Sequence, residues 1–322
     1  MKPHISIFFL LMASGCSAQS VINIDENERP LKAESNSVID KSSWIHGSPD
    51  CDNNKESVHD AYMYSDKTII IRQNKCVTFE APFIYVLVGG QKILVLDTGA
   101  INDKIEYSLD KEIEMLIGKE QFSSKEILVI HSHGHSDHYQ GDFSFKKHSN
   151  VKLIKPSAIE VHKFFGFSDW PLGQAAIDLG ERHLTVIPTP GHQEEAITIY
   201  DHKTKWLLTG DTLYPGLIYV KDWESYRKSI NKLATFAKNN EVKAIMGSHI
   251  EMKSRPASYY PVGSTYQPNE AKLDLGVESL LILNDRLQEI DRPTELIFDD
   301  FIVHPMGGTQ KILSNMARWF TQ

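Results

Sequence analysis

At 322 residues, with 41% hydrophobic and 24% charged side chains, the chain has an ordinary globular composition and enough length for one large domain or two small ones. A formal net charge of −8 excludes the basic footprint that non-specific nucleic-acid binding needs, and it leaves no polybasic patch for anionic lipid. The expected partner is a small-molecule substrate, with no nucleic acid.

The first residues stand apart from the rest. Lys2 precedes a short apolar run, Ile5 to Met12, and then Ala13-Ser14-Gly15-Cys16. A positive start, a brief apolar core and small residues at the cut are the layout of a secretory signal, here residues 1–18. The core is too short to span a bilayer as a helix. Ala-Ser-Gly-Cys resembles a bacterial lipobox, which would make Cys16 a lipidated membrane attachment, although Ala13 stands where leucine is usual. Cleavage after Ala18 by ordinary signal peptidase is the alternative. The chain is thus expected to be exported, either free in the periplasm or held as an outer-membrane lipoprotein.

Cys51 and Cys76 remain after the signal. In an oxidising compartment an even pair suits a disulfide, and two independent thiols is the other reading. Residues 19–60 are polar with few aromatics and read as a loosely ordered lead-in. From residue 61 to 322 the texture is that of a folded domain. Thr68–Ile71, Phe83–Val88 and Lys92–Leu96 read as a strand meander closed by the turn Asp97-Thr98-Gly99. The spacing predicts a helix over Ile105–Gly118, a strand over Glu126–Ile130, a strand over Val151–Ile154 and a helix over Ser157–Phe165. Strands follow at Thr185–Ile187, Ala196–Tyr200 and Trp206–Leu208, the last two forming a hairpin, then a helix over Lys221–Asn239 and a strand over Val242–Met246. A helix over Ala271–Ile290, a strand near Leu296–Val303 and a terminal helix from Gln310 complete the chain. Strands in groups with helices between them imply layered sheets covered by helices, an α+β architecture.

The chemistry concentrates where the strand Glu126–Ile130 ends. Residues 131–138, His-Ser-His-Gly-His-Ser-Asp-His, hold four histidines and an aspartate directly after an apolar run. Polar groups at the end of a buried strand need partners, and imidazole with carboxylate suits Zn²⁺, iron or manganese. A solvated polar turn is the bland alternative. Three further segments repeat the pattern of apolar strand, small residues and one ligand: Thr189-Pro190-Gly191-His192, Thr209-Gly210-Asp211-Thr212 and Gly247-Ser248-His249.

His133-Gly134-His135-Ser136-Asp137-His138 followed by His192, Asp211 and His249 resembles the metallo-β-lactamase superfamily, with Asp97 matching the aspartate usual before the signature. The resemblance spans roughly residues 69–249. It implies a four-layer αββα sandwich with ligands along one edge of two sheets. It also implies one metal held by His133, His135 and His192, a second held by Asp137, His138 and His249, and Asp211 bridging them. Two Zn²⁺ are the implied cofactors, with iron or manganese as alternatives. His131 is read as structural, Asp97 as a hydrogen-bond partner that orients the ligand loop, and Asp142, His162 and His202 as surface or packing residues.

The family's chemistry would be attack by a metal-bridging hydroxide, with Asp137 accepting or relaying a proton. Lactamases proper commonly place a cysteine where this chain has Asp211. The bridging aspartate instead resembles glyoxalase II and acyl-homoserine lactonases, so an ester, thioester or lactone is the expected substrate class. Tyr214, three residues after Asp211, is either an oxyanion hydrogen-bond donor, worth roughly ten to a thousandfold in rate, or a packed aromatic. The aromatic stretch Ser258–Pro268 either walls the substrate pocket or simply packs. A β-lactam hydrolase, a mononuclear iron persulfide dioxygenase using His133, His192 and Asp211, and a non-catalytic metal-binding lipoprotein are the rival readings.

Overall fold

The computed structural model describes residues 21–22, 37–41, 43–102 and 106–311. The expected signal segment and the lipobox cysteine lie outside the described residues, as does nearly all of the terminal helix expected from Gln310. A two-residue strand, β1 (Val21–Ile22), comes first. The first large sheet is built from β2 (His59–Ser65), β3 (Thr68–Gln73), β4 (Phe83–Val88), β5 (Lys92–Leu96), β6 (Glu126–Ile130) and β7 (Val151–Leu153), adjacent in that order. The first four pair antiparallel, and β6 and β7 continue in parallel. Helices α1 (Leu109–Ile117) and α2 (Lys119–Ser124) connect β5 to β6, while the single turn α3 (Ser136–Tyr139) follows β6.

After α4 (Ala158–Phe165) the chain builds the second sheet from β8 (Ala175–Asp178), β9 (His183–Pro188), β10 (Ile197–Asp201) and β11 (Trp206–Gly210). A strand outside it, β12 (Leu217–Val220), and helix α5 (Trp223–Asn239) lead to β13 (Ala244–Gly247) and β14 (Asp274–Leu275). The spatial order is β14-β13-β11-β10-β9-β8. Helix α6 (Val277–Glu289) precedes a hairpin of β15 (Glu295–Ile297) and β16 (Ile302–Pro305), which with β1 and β12 makes a small third sheet ordered β1-β15-β16-β12.

Alternation along the strands sorts the apolar residues into layers. Ile70, Tyr85, Leu87, Leu94, Leu96, Leu128 and Ile130 of the first sheet meet Val186, Ile199, Trp206, Leu208 and Met246 of the second. Their neighbours Ile69, Ile71, Val86, Val95, Ile127 and Val129 face outward onto Ile113, Ile117 and Phe122 of α1 and α2. On the far side Tyr200, Leu207 and Ile245 lie under Tyr226, Ile230 and Leu233 of α5 and Leu280, Leu283 and Leu287 of α6. Strands buried on both faces read as continuous apolar runs, which is why they stood out in the sequence. The architecture is the expected four-layer αββα sandwich.

Several boundaries differ from expectation. The described part of the polar lead-in is packed: Ile39 and Trp44 are buried, Trp44 stands edge-on to Phe83 at 4.9 Å, and His59 opens β2. Cys51 and Cys76 are joined as a disulfide, with their α-carbons 5.1 Å apart. The helix expected over 105–118 starts at Leu109 and is followed by a second, short helix. The one expected over 271–290 starts at Val277, because Asp274 and Leu275 pair with β13 instead. The strand expected near 296–303 is two strands of a hairpin. Strands β8 and β12 had no sequence counterpart; both are four residues long, close to the minimum that periodicity can register.

Candidate metal centre

Every candidate ligand leaves the end of a strand on one edge of the sandwich. His133, His135, Asp137 and His138 follow β6 of the first sheet; His192 follows β9, Asp211 follows β11 and His249 follows β13 of the second. At His192 the chain must turn under helix α5. Gly191 does this at φ 146°, where an added Cβ would lie 2.6 Å from the Tyr226 Cα, and its carbonyl accepts hydrogen bonds from Lys221 N–H and Asp222 N–H.

The side chains converge as two clusters. His133, His135, His192 and Asp211 form one, and Asp137, His138 and His249 the other, with ligand atoms inside each group within 4.8 Å of one another. Asp211 faces both. Its Oδ2 lies 3.6 Å from His133 Nε2 and 3.5 Å from His192 Nε2, while its Oδ1 lies 3.6 Å from His138 Nε2 and 3.3 Å from His249 Nε2. Asp137 Oδ2 completes the second group at 3.2 Å from His138 Nε2 and 3.4 Å from His249 Nε2. In the first group His192 Nε2 is 3.1 Å from His135 Nδ1.

These separations fit metal ions. A tetrahedral centre with bonds of about 2.0–2.1 Å has ligand–ligand edges of about 3.3 Å. Two of the atoms, His133 Nε2 and Asp211 Oδ1, are buried without a hydrogen-bond partner, the state expected of groups aimed at a shared point rather than at each other. The opposite ring nitrogens are tied back. His138 Nδ1 is 2.9 Å from Asp97 Oδ2, His192 Nδ1 donates to the Tyr219 carbonyl at 2.7 Å, and His249 Nδ1 donates to the Glu80 carbonyl at 3.0 Å. Such partners fix the tautomer and present Nε2 to the centre. Asp97 also accepts from Ser132 N–H at 2.7 Å, Ser132 Oγ–H at 2.9 Å and Ser248 Oγ–H at 3.3 Å. That saturated carboxylate holds the ends of β6 and β13 together, from a residue at φ 67°.

The electrostatics divide the clusters. Burial pushes His133 well below its ordinary range, with His138 adding to it; burial also takes His135 down to about 3 and lowers His192. All three are therefore neutral imidazoles, the form that ligates. Burial opposes charge on His138 and His249 as well, but Asp137 and Asp97 outweigh it at His138 and Asp211 outweighs it at His249, so both are raised well above the ordinary value. Burial likewise opposes ionisation of Asp211 and Asp137, yet the neighbouring histidines win and hold both carboxyls well below the usual range. The centre is thus a set of carboxylates demanding positive charge.

A family model described as the metallo-beta-lactamase superfamily matches residues 77–249, more than half of the chain and every residue of both clusters. The chain belongs to the metallo-beta-lactamase superfamily. Among its relatives are the human acyl-coenzyme A thioesterase MBLAC2, 25% identical over 182 residues covering 47% of this chain and 64% of that protein, and the hydroxyacylglutathione hydrolase of Brucella ovis, 34% identical over 87 residues covering 27% and 34%. The chain thus spans less than two thirds of the length of these relatives. A metallo beta lactamase from Erythrobacter litoralis has a similar fold, with TM-score 0.51, 14% identity and coverage of 74% of this chain and 99% of that one.

Around the candidate ligands of this metallo-beta-lactamase scaffold, the neighbouring polar and aromatic residues take defined places. Tyr214 is buried beside His249, with ring centroids 5.5 Å apart, but its hydroxyl donates to the Leu217 carbonyl at 2.8 Å. The same hydroxyl lies 3.3 Å from Glu251 Oε2, so two protein acceptors surround it. Asp142 is buried and lies in hydrogen-bond reach of His131, which makes it a packing rather than a surface residue. His162 packs against Trp170, whereas His202 is an exposed surface residue hydrogen-bonded to Thr185 Oγ1. Of the aromatic stretch, Tyr259 and Tyr266 are exposed.

Reading the sequence missed Glu80, whose carbonyl holds His249 and whose carboxyl is pushed up to about 8 by burial and then by Asp137. It also missed Glu195, whose Oε1 accepts the Gly134 N–H at 2.8 Å. Neither carries a sequence signal: Glu80 is remote in the chain from every candidate ligand, and Glu195 stands beside Glu194 as an ordinary acidic pair.

Proposed function

We propose that this protein is an exported two-zinc hydrolase of esters, thioesters or lactones, with thioesters placed first. The observation that carries the reading is Asp211, which turns one carboxylate oxygen to each of two ligand clusters. A complete ligand set argues against a binding protein on a degenerate scaffold, and retention of all three residues of the second cluster argues against a single iron. The relatives named as an acyl-coenzyme A thioesterase and a hydroxyacylglutathione hydrolase support the thioester preference. The Cys51–Cys76 disulfide supports export, because such bonds persist in oxidising compartments.

When bound, a zinc pair supplies a water activated near neutral pH and a Lewis acid for the scissile carbonyl. The chain's own residues do the rest. His133, His135 and His192 would hold the first ion and Asp137, His138 and His249 the second, with Asp211 facing both clusters. Asp97 keeps Ser132, His138 and Ser248 in register, so the clusters stay preorganised. The Asp137 carboxylate is the proton acceptor we assign to the second cluster.

The test is elemental analysis of the purified mature chain together with turnover of an acyl thioester, an acyl-homoserine lactone, a phosphodiester and a chromogenic cephalosporin. About two zinc per chain with thioester or lactone cleavage is the expected result. One iron without hydrolysis would overturn it, and cephalosporin turnover alone would move the protein to the β-lactam branch.

A further inference from the structure

We infer that the buried His131–Asp142 pair is a positioning device for Asp137 and His138, governing the second ligand cluster and not the first. The inference rests on the two-cluster reading above. Helix α3, which carries both ligands, is a single turn of four residues and cannot hold itself. It runs directly into a 3₁₀ turn, Gln140–Ser144, on which Asp142 sits.

That turn lies hard against the end of β5. The Thr98 N–H donates to the His138 carbonyl at 2.8 Å and the Gly141 N–H to the Gly99 carbonyl at 3.1 Å; a Cβ on Gly141 would meet the Thr98 carbonyl oxygen at 2.1 Å. Side chains then lock it. Asp142 Oδ1 accepts from Thr98 Oγ1 at 2.9 Å and lies 2.8 Å from His131 Nε2. His131 Nδ1 is 3.0 Å from the Ile154 carbonyl. A carbonyl only accepts, so Nδ1 carries a proton, and with Nε2 engaged by Asp142 the ring has no nitrogen left for a metal. His131 is therefore an anchor between the ends of β6 and β7, and Asp142 transmits its position to the turn that carries Asp137 and His138.

The first cluster has other supports. Ser132 N–H is held by Asp97, Gly134 N–H by Glu195 and His192 Nδ1 by the Tyr219 carbonyl, and none of these groups touches Asp142. Loss of the pair should consequently be felt selectively.

The experiment is competition of Zn²⁺ between a chromophoric chelator and the metal-free full chain, for the wild type and for His131→Phe, Asp142→Ala and Asp142→Asn. The wild type should take two equivalents; a single equivalent would remove the two-cluster reading itself. His131→Phe and Asp142→Ala are expected to weaken the second equivalent about 10- to 100-fold and leave the first within about threefold. Asp142→Asn keeps an acceptor oxygen for Thr98 and His131 and should return the second equivalent to within about tenfold of wild type. Two unchanged equivalents, an equal weakening of both, an asparagine variant no better than alanine, or loss of the fold's circular dichroism in the alanine variant would each overturn the inference.

Discussion

Asp211 is the single carboxylate on which the two clusters meet, and its replacement has a sharp expected outcome. Asp211→Ala should lose several kcal/mol of transition-state stabilisation, on the order of a thousandfold in rate, with zinc content falling below two per chain. Retained activity with two zinc would remove its bridging role. Tyr214→Phe should behave otherwise. It deletes the hydrogen bond to the Leu217 carbonyl, so stability should fall by about 1 kcal/mol while kcat stays within about threefold. A loss of tenfold or more in kcat at unchanged stability would instead assign it the oxyanion role. At this scale the clustered histidines and aspartates were legible because such residues at strand ends are rare and costly. Tyr214 was not, since a sequence places a hydroxyl near a site without saying where its proton goes. His131 and Asp142 show the same blindness: eleven residues apart, they form one unit only after α3 and its 3₁₀ turn fold back onto β5.

At the scale of elements, the strands were readable where both faces are buried, as in β4 and β10, and unreadable where four residues pair in a small outer sheet, as in β12. The polar stretch before β2 was misread because its order comes from two apolar anchors, Ile39 and Trp44, and from a covalent link rather than from periodicity. That link has a measurable role. The Cys51–Cys76 bridge closes a loop across 25 residues of sequence and should contribute about 3 kcal/mol, seen as a fall in denaturant midpoint when both cysteines become serine. Cys76 is four residues before Glu80, whose carbonyl orients His249, so the double variant should also hold its second zinc less firmly. A variant equal to wild type in both respects would reduce the bridge to decoration.

For the whole molecule, the sheets are also fastened by polar groups away from the metal edge. Far from it, buried Arg182 grips Asp201 at 3.0 Å and 2.6 Å in the second sheet and reaches Thr68 Oγ1 at 2.9 Å in the first. Burial would raise the Asp201 carboxyl, but Arg182 outweighs it and holds it below its ordinary range. A depressed folded-state value means that the pair stabilises above the unfolded-state pKa, near 4, and that this contribution drains away as pH falls through the lower folded-state value. Asp201→Asn should therefore cost about 3–5 kcal/mol at neutral pH, by stranding a buried guanidinium, and its deficit against wild type should shrink below about pH 4. A deficit independent of pH would sink this account. The layers themselves were legible from runs of Ile, Leu and Val, whereas this fastening depends on residues more than a hundred positions apart. The first sheet is drawn wholly from residues 59–153 and the second from 175–275, so the sandwich is two consecutive lengths of chain laid face to face. Four of the seven candidate ligands come from the first length and three from the second. Neither length holds a complete candidate cluster, so a nascent chain cannot assemble either one until its second half has emerged and docked.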